Sequence, residues 1–203
     1  MGRKIIVAGI DTDAGKTVAS AILCEALQAD YWKPVQAGDL KNTDSHKVEQ
    51  LISNEKTVIH PEAYRLSQPM SPHAAAAIDG IEIDEKSLTV PATENHLIIE
   101  LAGGLMVPLR KDLLNIDWIK QINFPVVLVA HYYLGSINHT LLSWELLQNR
   151  GVNVLGVIFN GDKNPSTFDV INERTQSKCL LEIEREKELN AATIRTYANR
   201  VEL

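Results

Sequence analysis

Short runs of almost unbroken apolar residues alternate along this chain with longer stretches whose apolar positions recur at helical spacing. Lys4 to Gly9 (KIIVAG) reads as a strand buried on both faces. From about Gly15 to Ala29, the apolar residues Val18, Ala21, Ile22, Cys24, Ala26 and Leu27 fit a helix. Tyr31 to Val35 reads as a second strand and Asp44 to Ile52 as a short helix. Ser71 and Pro72 before His73 to Ile78 predict an N-capped helix with proline in its first turn. His96 to Glu100 (HLIIE), Phe124 to Ala130 (FPVVLVA) and Val152 to Phe159 (VNVLGVIF) are further buried-strand candidates. Ser136 to Gln148, between the last two, reads as a helix. Asp169 to Gln176 reads as another helix and Lys178 to Ile183 as a last strand. Beyond about residue 184 the pattern fades into a charged segment that is either a terminal helix or a frayed tail. Strands alternating with helices predict an α/β fold, a mainly parallel sheet with right-handed crossovers and helices on both faces. No repeat, linker or low-complexity stretch interrupts residues 1–203, so one domain is expected.

Composition narrows the function classes. Apolar residues make up 45% of the 203, enough for a substantial core, and the formal net charge of -6 argues against a non-specific nucleic-acid binder. Two cysteines, Cys24 and Cys179, are too few for a disulfide framework and fit a reducing, cytoplasmic setting. No apolar stretch approaches the roughly 18 residues that span a bilayer, and no signal-peptide core precedes the first strand. His46, His60, His96 and His131 lack metal-ligand spacing, and Trp32, Trp118 and Trp144 form no stacking series, so zinc and single-stranded nucleic acid are not expected. His73 follows Ser71-Pro72 and is open to either substrate contact or packing at a helix start.

The chemistry concentrates at strand ends. Gly9 to Thr17 reads G-I-D-T-D-A-G-K-T between the first strand and the first helix. Backbone amides in such a turn can surround phosphate oxygens, with the helix N-terminus adding partial positive charge. Lys16 supplies a mobile charge for the phosphates, and the Thr17 hydroxyl suits magnesium. One residue more than usual separates the two glycines of this loop. Glu100 closes a buried strand and precedes Leu101-Ala102-Gly103-Gly104, where a carboxylate faces the ligand edge of an open sheet. Magnesium takes hard oxygen donors, one or two of them carboxylates. Asp44 could join Glu100 there or simply favour the dipole of its helix. Lys33, before Pro34, is either a solvent-facing lysine or a group that stabilises developing negative charge.

Six separated segments together resemble the dethiobiotin synthase family: GIDTDAGKTVAS, WKPVQAG, NTDS, MSPHAA, ELAGGLMVPL and LGSINHT, in order over about the first 160 residues. The resemblance implies a P-loop NTPase fold and a homodimer with active sites at the interface. It implies conversion of 7,8-diaminononanoate, carbon dioxide and ATP to dethiobiotin, ADP and phosphate, with magnesium. One amine captures carbon dioxide as a carbamate, the carbamate takes the γ-phosphoryl group, and the second amine closes the ring. Carried over by motif, Asp13, Ala14, Gly15, Lys16, Thr17 and Val18 would cradle ATP, and Thr17, Asp44 and Glu100 would surround magnesium. Lys33 would be the catalytic lysine with Lys16, and Thr12 would lie near the diamine. Gly103 would pack on the nucleotide and Asn160 would read adenine. Ala37, Gly104 and the helix start Ser136, Ile137 and Asn138 would receive substrate, the last three across the dimer.

Three departures from the family pattern stand out. Ala37 replaces a serine of the substrate loop, Leu101 and Ala102 replace the usual glycine-alanine, and the adenine-side E-I-P reads Glu182-Ile183-Glu184. Two other P-loop classes compete. Partitioning switches carry an early loop lysine that Ile10 to Ala14 lacks, and small-molecule kinases carry an arginine-bearing lid not seen here.

Overall fold

The computed structural model describes residues 2–203. In chain order it contains β1 (Lys4–Gly9), α1 (Lys16–Leu27), β2 (Asp30–Trp32), β3 (Val35–Ala37), α2 (Asp44–Leu51), β4 (Ile59–His60), β5 (Tyr64–Leu66), α3 (Pro72–Ile78) and β6 (Leu97–Gly104). There follow β7 (Pro108–Arg110), β8 (Leu113–Leu114), α4 (Asn115–Ile122), β9 (Val126–His131), α5 (Ser136–Asn149), β10 (Val154–Asn160), α6 (Pro165–Thr175), β11 (Cys179–Ile183) and α7 (Ala191–Ala198).

Seven strands form one sheet in the order β11-β10-β9-β1-β6-β2-β4, every neighbouring pair parallel. Side-chain alternation explains the near-continuous apolar runs, because both faces are covered. Ile5, Val7, Tyr31, Ile98 and Val129 pack with α1, α2 and α7 on one face. Ile6, Ala8, Trp32, Ile99 and Leu128 pack with α3, α4, α5 and α6 on the other. The α/β expectation with helices on both faces therefore holds.

The second strand differs from the sequence reading. β2 ends at Trp32, and β3 begins at Val35 in a separate two-stranded sheet with β5. Pro34 has no N–H and cannot extend the β2 ladder, so the chain bends at Lys33-Pro34. That bend leaves Lys33 at the sheet's C-terminal edge. β6 runs on through Gly104, past the end expected at Glu100. Helix α6 starts at Pro165, capped by Asn164, ahead of the predicted Asp169. The amphipathic helix α4 escaped the sequence reading, although Ile116, Trp118 and Ile119 are its buried residues. Trp118 meets Trp32 edge to face, with ring centroids 6.1 Å apart. The charged terminal segment contains a packed helix, with Ile194 and Tyr197 of α7 buried against the α1 side of the core. Both cysteines are free, Cys24 buried and Cys179 half-buried.

Candidate active site

The turn between β1 and α1 wraps around its own lysine. The Lys16 ammonium donates to the carbonyls of Asp11 (2.8 Å) and Thr12 (2.9 Å). Gly15 adopts φ 91° as the N-cap of α1, and no side chain caps that helix. Its first amides thus remain available to an anion. A Cβ at Gly15 would lie 2.2 Å from Nδ2 of Asn160, and that amide donates to the Ala14 carbonyl at 3.1 Å. A Cβ at Gly9 would come within 2.8 Å of the Asp11 carbonyl oxygen and 3.0 Å of the Lys16 Nζ. Both glycines are therefore required by close approach. Burial lowers the Lys16 pKa to about 8, with Lys33 adding to the shift and Glu100, Asp44 and Asp11 opposing it.

Beside that turn stands a buried polar cluster. Glu100 is 1% exposed. Its Oε1 accepts from the Thr17 hydroxyl (2.9 Å) and from Lys33 Nζ (3.0 Å), and its Oε2 accepts from the Tyr31 hydroxyl (2.9 Å). Lys33 also donates to Asp44, forming an ion pair with each carboxylate. Burial alone would lower the Lys33 pKa, but Glu100 and Asp44 outweigh it and hold the ammonium above its ordinary range. Burial would likewise raise Asp44, yet Lys33 and then Lys47 keep its carboxyl below the usual value. Asp44 opens α2, where Thr43 and His46 form a reciprocal cap, and its amide donates to Gln36 (3.2 Å). Gln36 in turn donates to the Gly38 carbonyl at 2.9 Å, which ties the loop after β3 to the helix.

These residues line a cleft of ≈ 560 Å³ whose wall includes Thr12, Asp13, Gly15, Lys16, Thr17, Lys33, Ala37, Asp44, Glu100 and Gly103. A second cavity of ≈ 300 Å³ is lined by Val18, Asn160 and residues from β11 onward, and Asp13 borders both. Ala14 is buried under the turn. Gly104 lies beside the Gly9–Ile10 backbone. Ser136, Ile137 and Asn138 form the first turn of α5 and line neither cavity, so the structure does not bring them to the cluster within one chain. His73 borders a different cavity, near Leu109 and Arg110, away from the cleft.

The donor set suits magnesium. Two carboxylates and one hydroxyl converge where the Lys33 ammonium already bridges the carboxylates, and magnesium asks only one or two carboxylates of the protein.

Sequence reasoning missed several neighbours. Tyr31 lies in β2 two residues before Lys33, which directly follows the strand, and extended-chain alternation was the signal that could have placed both on one side. Lys47 follows Asp44 by one helical turn and pairs with it (3.3 Å) and with Asp39 (3.1 Å). The wall begins at Ile183 and Glu184, within the segment matched to the adenine-side motif, but Arg185, Glu186 and Leu189 beyond it carried no motif that could have revealed them.

A phosphate-type turn leading into a helix, a buried acid on the adjacent strand and a wholly parallel central sheet define a P-loop nucleoside-triphosphatase fold. Consistent with this, the family model of the AAA domain matches residues 3–193. A solved ParA family ATPase from Chlorobium tepidum superposes with a TM-score of 0.60 at 12% identity, covering 98% of both chains, which speaks for the fold alone. The ATP-dependent dethiobiotin synthetase BioD of Christiangramia forsetii is 49% identical over 200 residues, 98% of this chain and 96% of the relative. The enzyme of that name from Cytophaga hutchinsonii is 46% identical over 197 residues, 97% and 95% of the two chains. The chain belongs to the ATP-dependent dethiobiotin synthetase family.

Proposed function

We propose that this enzyme carboxylates 7,8-diaminononanoate and closes it to dethiobiotin at the expense of ATP. The observation that carries the reading is the meeting of Lys16, Lys33, Thr17, Asp44 and Glu100 around one cleft. Family membership supplies the reaction, and this geometry supports its assignment to these residues.

One substrate amine adds to carbon dioxide, losing a proton to give a carbamate. A carbamate oxygen then attacks the γ-phosphorus, and the bond to the β-bridging oxygen breaks to release ADP. The second amine attacks the carbonyl carbon of the mixed anhydride, phosphate departs, and loss of a proton leaves the cyclic urea. Lys16 and the first amides of α1 would hold the triphosphate. Lys33, freed from its carboxylates as ligands enter, would lie against the carbamate and the transferring phosphoryl group. Thr12 and Ala37 would flank the diamine. Thr17, Asp44 and Glu100 would hold magnesium, which when bound neutralises phosphate charge.

The start of α5 supports a homodimer with shared sites. Leu134 just before it is fully exposed, the side-chain oxygen of Ser136 is buried without a partner, and no side chain caps the helix. The Ser136 amide already donates to the Tyr133 carbonyl at 3.0 Å, and a carboxylate delivered by the diamine bound in a second copy would satisfy the next amides, Ile137 and Asn138. Among the described residues no helix is long and apolar enough to cross a membrane, and cytoplasmic biosynthesis is the setting this reading needs.

Purified protein with ATP, magnesium, bicarbonate and 7,8-diaminononanoate should yield dethiobiotin, detected by mass. Phosphate release with no dethiobiotin would redirect the assignment to a switch or a kinase.

A further inference from the structure

The terminal helix α7 has no place in the chemistry above, yet one of its side chains reaches the second cavity's wall. Tyr197 is 3% exposed, and its hydroxyl donates to Glu186 Oε1 at 2.6 Å while accepting the Glu184 amide at 3.2 Å. Glu184, Arg185, Glu186 and Leu189 line that cavity opposite Asp13 and Val18 of the phosphate turn. The strand pairing of β11 ends at Ile183, and among the described residues no backbone-to-backbone hydrogen bond holds 184–189. The segment is fastened instead by side chains: Tyr197 of α7, Thr193, whose hydroxyl donates to the Glu188 carbonyl at 3.3 Å, and a long, exposed pair of Arg185 with Asp162 at 3.8 Å that adds little. The body of Tyr197 is packed in the same core cluster as α1, so its hydroxyl has a rigid base. Burial and the Glu186 contact both raise its pKa above the ordinary tyrosine value.

We propose that Tyr197 is a positioning residue for the nucleoside half of ATP: its hydroxyl clasps residues 184–186 into the outer wall of the cavity beside the phosphate turn. The proposal rests on the reading that the phosphate turn binds ATP. Loss of the clasp would loosen the wall around the base and ribose and leave the triphosphate cradle untouched. It also gives the charged segment that lacks the family's proline, Glu182-Ile183-Glu184, an anchor of its own.

The test compares Tyr197→Phe with the parent enzyme using two probes, ATP and inorganic tripolyphosphate, each with magnesium. Calorimetric titration should show ATP binding weakened about 5- to 20-fold, the loss of one or two hydrogen bonds to charged or backbone groups. Tripolyphosphate binding should be unchanged. In turnover, the KM for ATP should rise by a similar factor with kcat and the KM for diamine within twofold. Glu186→Ala should reproduce part of the loss, and adding it to Tyr197→Phe should cost less than the product of the two single effects, the mark of coupled partners. Equal ATP affinity in Tyr197→Phe and parent overturns the clasp. Equal weakening of both probes also overturns it, since it would mean a general structural role. Failure of the parent enzyme to bind either probe would instead undo the nucleotide reading itself.

Discussion

Two carboxylates are buried at opposite ends of the central strands, and they are satisfied in different ways. Asp30, at the start of β2, accepts from the Val58 amide (3.1 Å), His60 (3.1 Å), the Thr93 hydroxyl (2.7 Å) and the Asn95 amide (3.0 Å). Its partners are uncharged or weakly basic groups held at fixed places, a backbone amide, two short side chains of the 93–95 turn and His60 of β4. Glu100, midway along β6, also accepts several bonds, but one comes from Lys33, which it shares with Asp44. Lysine carries its charge on a flexible stem and can be displaced when a ligand offers the carboxylates another cation. The first arrangement is closed, and the second is open to a cleft. A buried acid thus marks a working site only when its counter-charge is exchangeable and space adjoins it.

The largest effect expected from this contrast is at Lys33. Lys33→Ala should lower kcat by at least about 100-fold, the scale seen when a single group that stabilises transition-state charge is removed. It also leaves Asp44 and Glu100 facing each other without the cation between them. Magnesium chloride should therefore raise the thermal midpoint of the variant more than that of the parent, read by scanning fluorimetry. Full turnover in Lys33→Ala would break the comparison, because the open cluster would then be as structural as the closed one.

Asp30 is the control at the other end. Asp30→Asn should cost about 1–3 kcal/mol of stability, because a buried set of donors loses its charged acceptor. Turnover per folded molecule should be unchanged. Burial alone would raise the Asp30 pKa, but the bonds from Thr93, Asn95, Val58 and His60 outweigh it and hold the carboxyl below its ordinary range. A depressed pKa means that the folded state favours the ionised form, so its contribution is full above the unfolded value. That contribution fades as pH falls through the folded one. Urea unfolding of parent and variant should accordingly differ most near neutrality and converge on acidification. A gap that widens in acid would reverse the sign and refute the assignment.

Gly15 lines the cleft and packs against Asn160 of the second cavity, and its effect should be smaller. Gly15→Ala forces a Cβ onto φ 91° and against the Asn160 amide. The left-handed backbone alone costs an alanine about 1–2 kcal/mol. ATP affinity should fall roughly tenfold, the equivalent of about 1.4 kcal/mol, as the turn shifts away from its cradle. Calorimetry with ATP checks this, and unchanged affinity would mean that the turn tolerates the shift.

Much of this was legible in the chain because the signals were local. The run KIIVAG, the Gly9 to Thr17 turn and the acid at Glu100 on its apolar strand declare themselves through periodicity and residue type, although that strand runs on to Gly104. The break at Lys33-Pro34 was not read, although the missing N–H of Pro34 was available to predict it. The short strands β4, β5, β7 and β8 hold two or three residues each, too few for any period to appear. The gathering of Tyr31, Gln36 and Lys47 around Asp44 and Glu100 depends on parallel pairing between distant segments, which no local pattern encodes. The helical rather than frayed state of residues 191–198 likewise arises from burial of Ile194 and Tyr197 on α1's side of the sheet.

The smallest expected effect sharpens where the open cluster ends. Lys47 bridges Asp44 and Asp39, but its side chain is 37% exposed and that of Asp39 54%. Exposed pairs of this kind usually contribute about 0–1 kcal/mol, so Lys47→Met should leave stability nearly unchanged. Its position on the cleft wall still allows a part in catalysis, because it holds the outer oxygen of Asp44 while Lys33 holds the inner one. If it only screens charge at the rim, kcat/KM for the diamine should change less than about threefold, and the residual effect should vanish in 0.5 M salt, where the screening length is only about 4–5 Å. A loss of more than about tenfold that survives salt would move Lys47 inside the exchangeable cluster. Asp44 would then be held by two displaceable cations, and the boundary between structural and working charge would lie one helical turn further out.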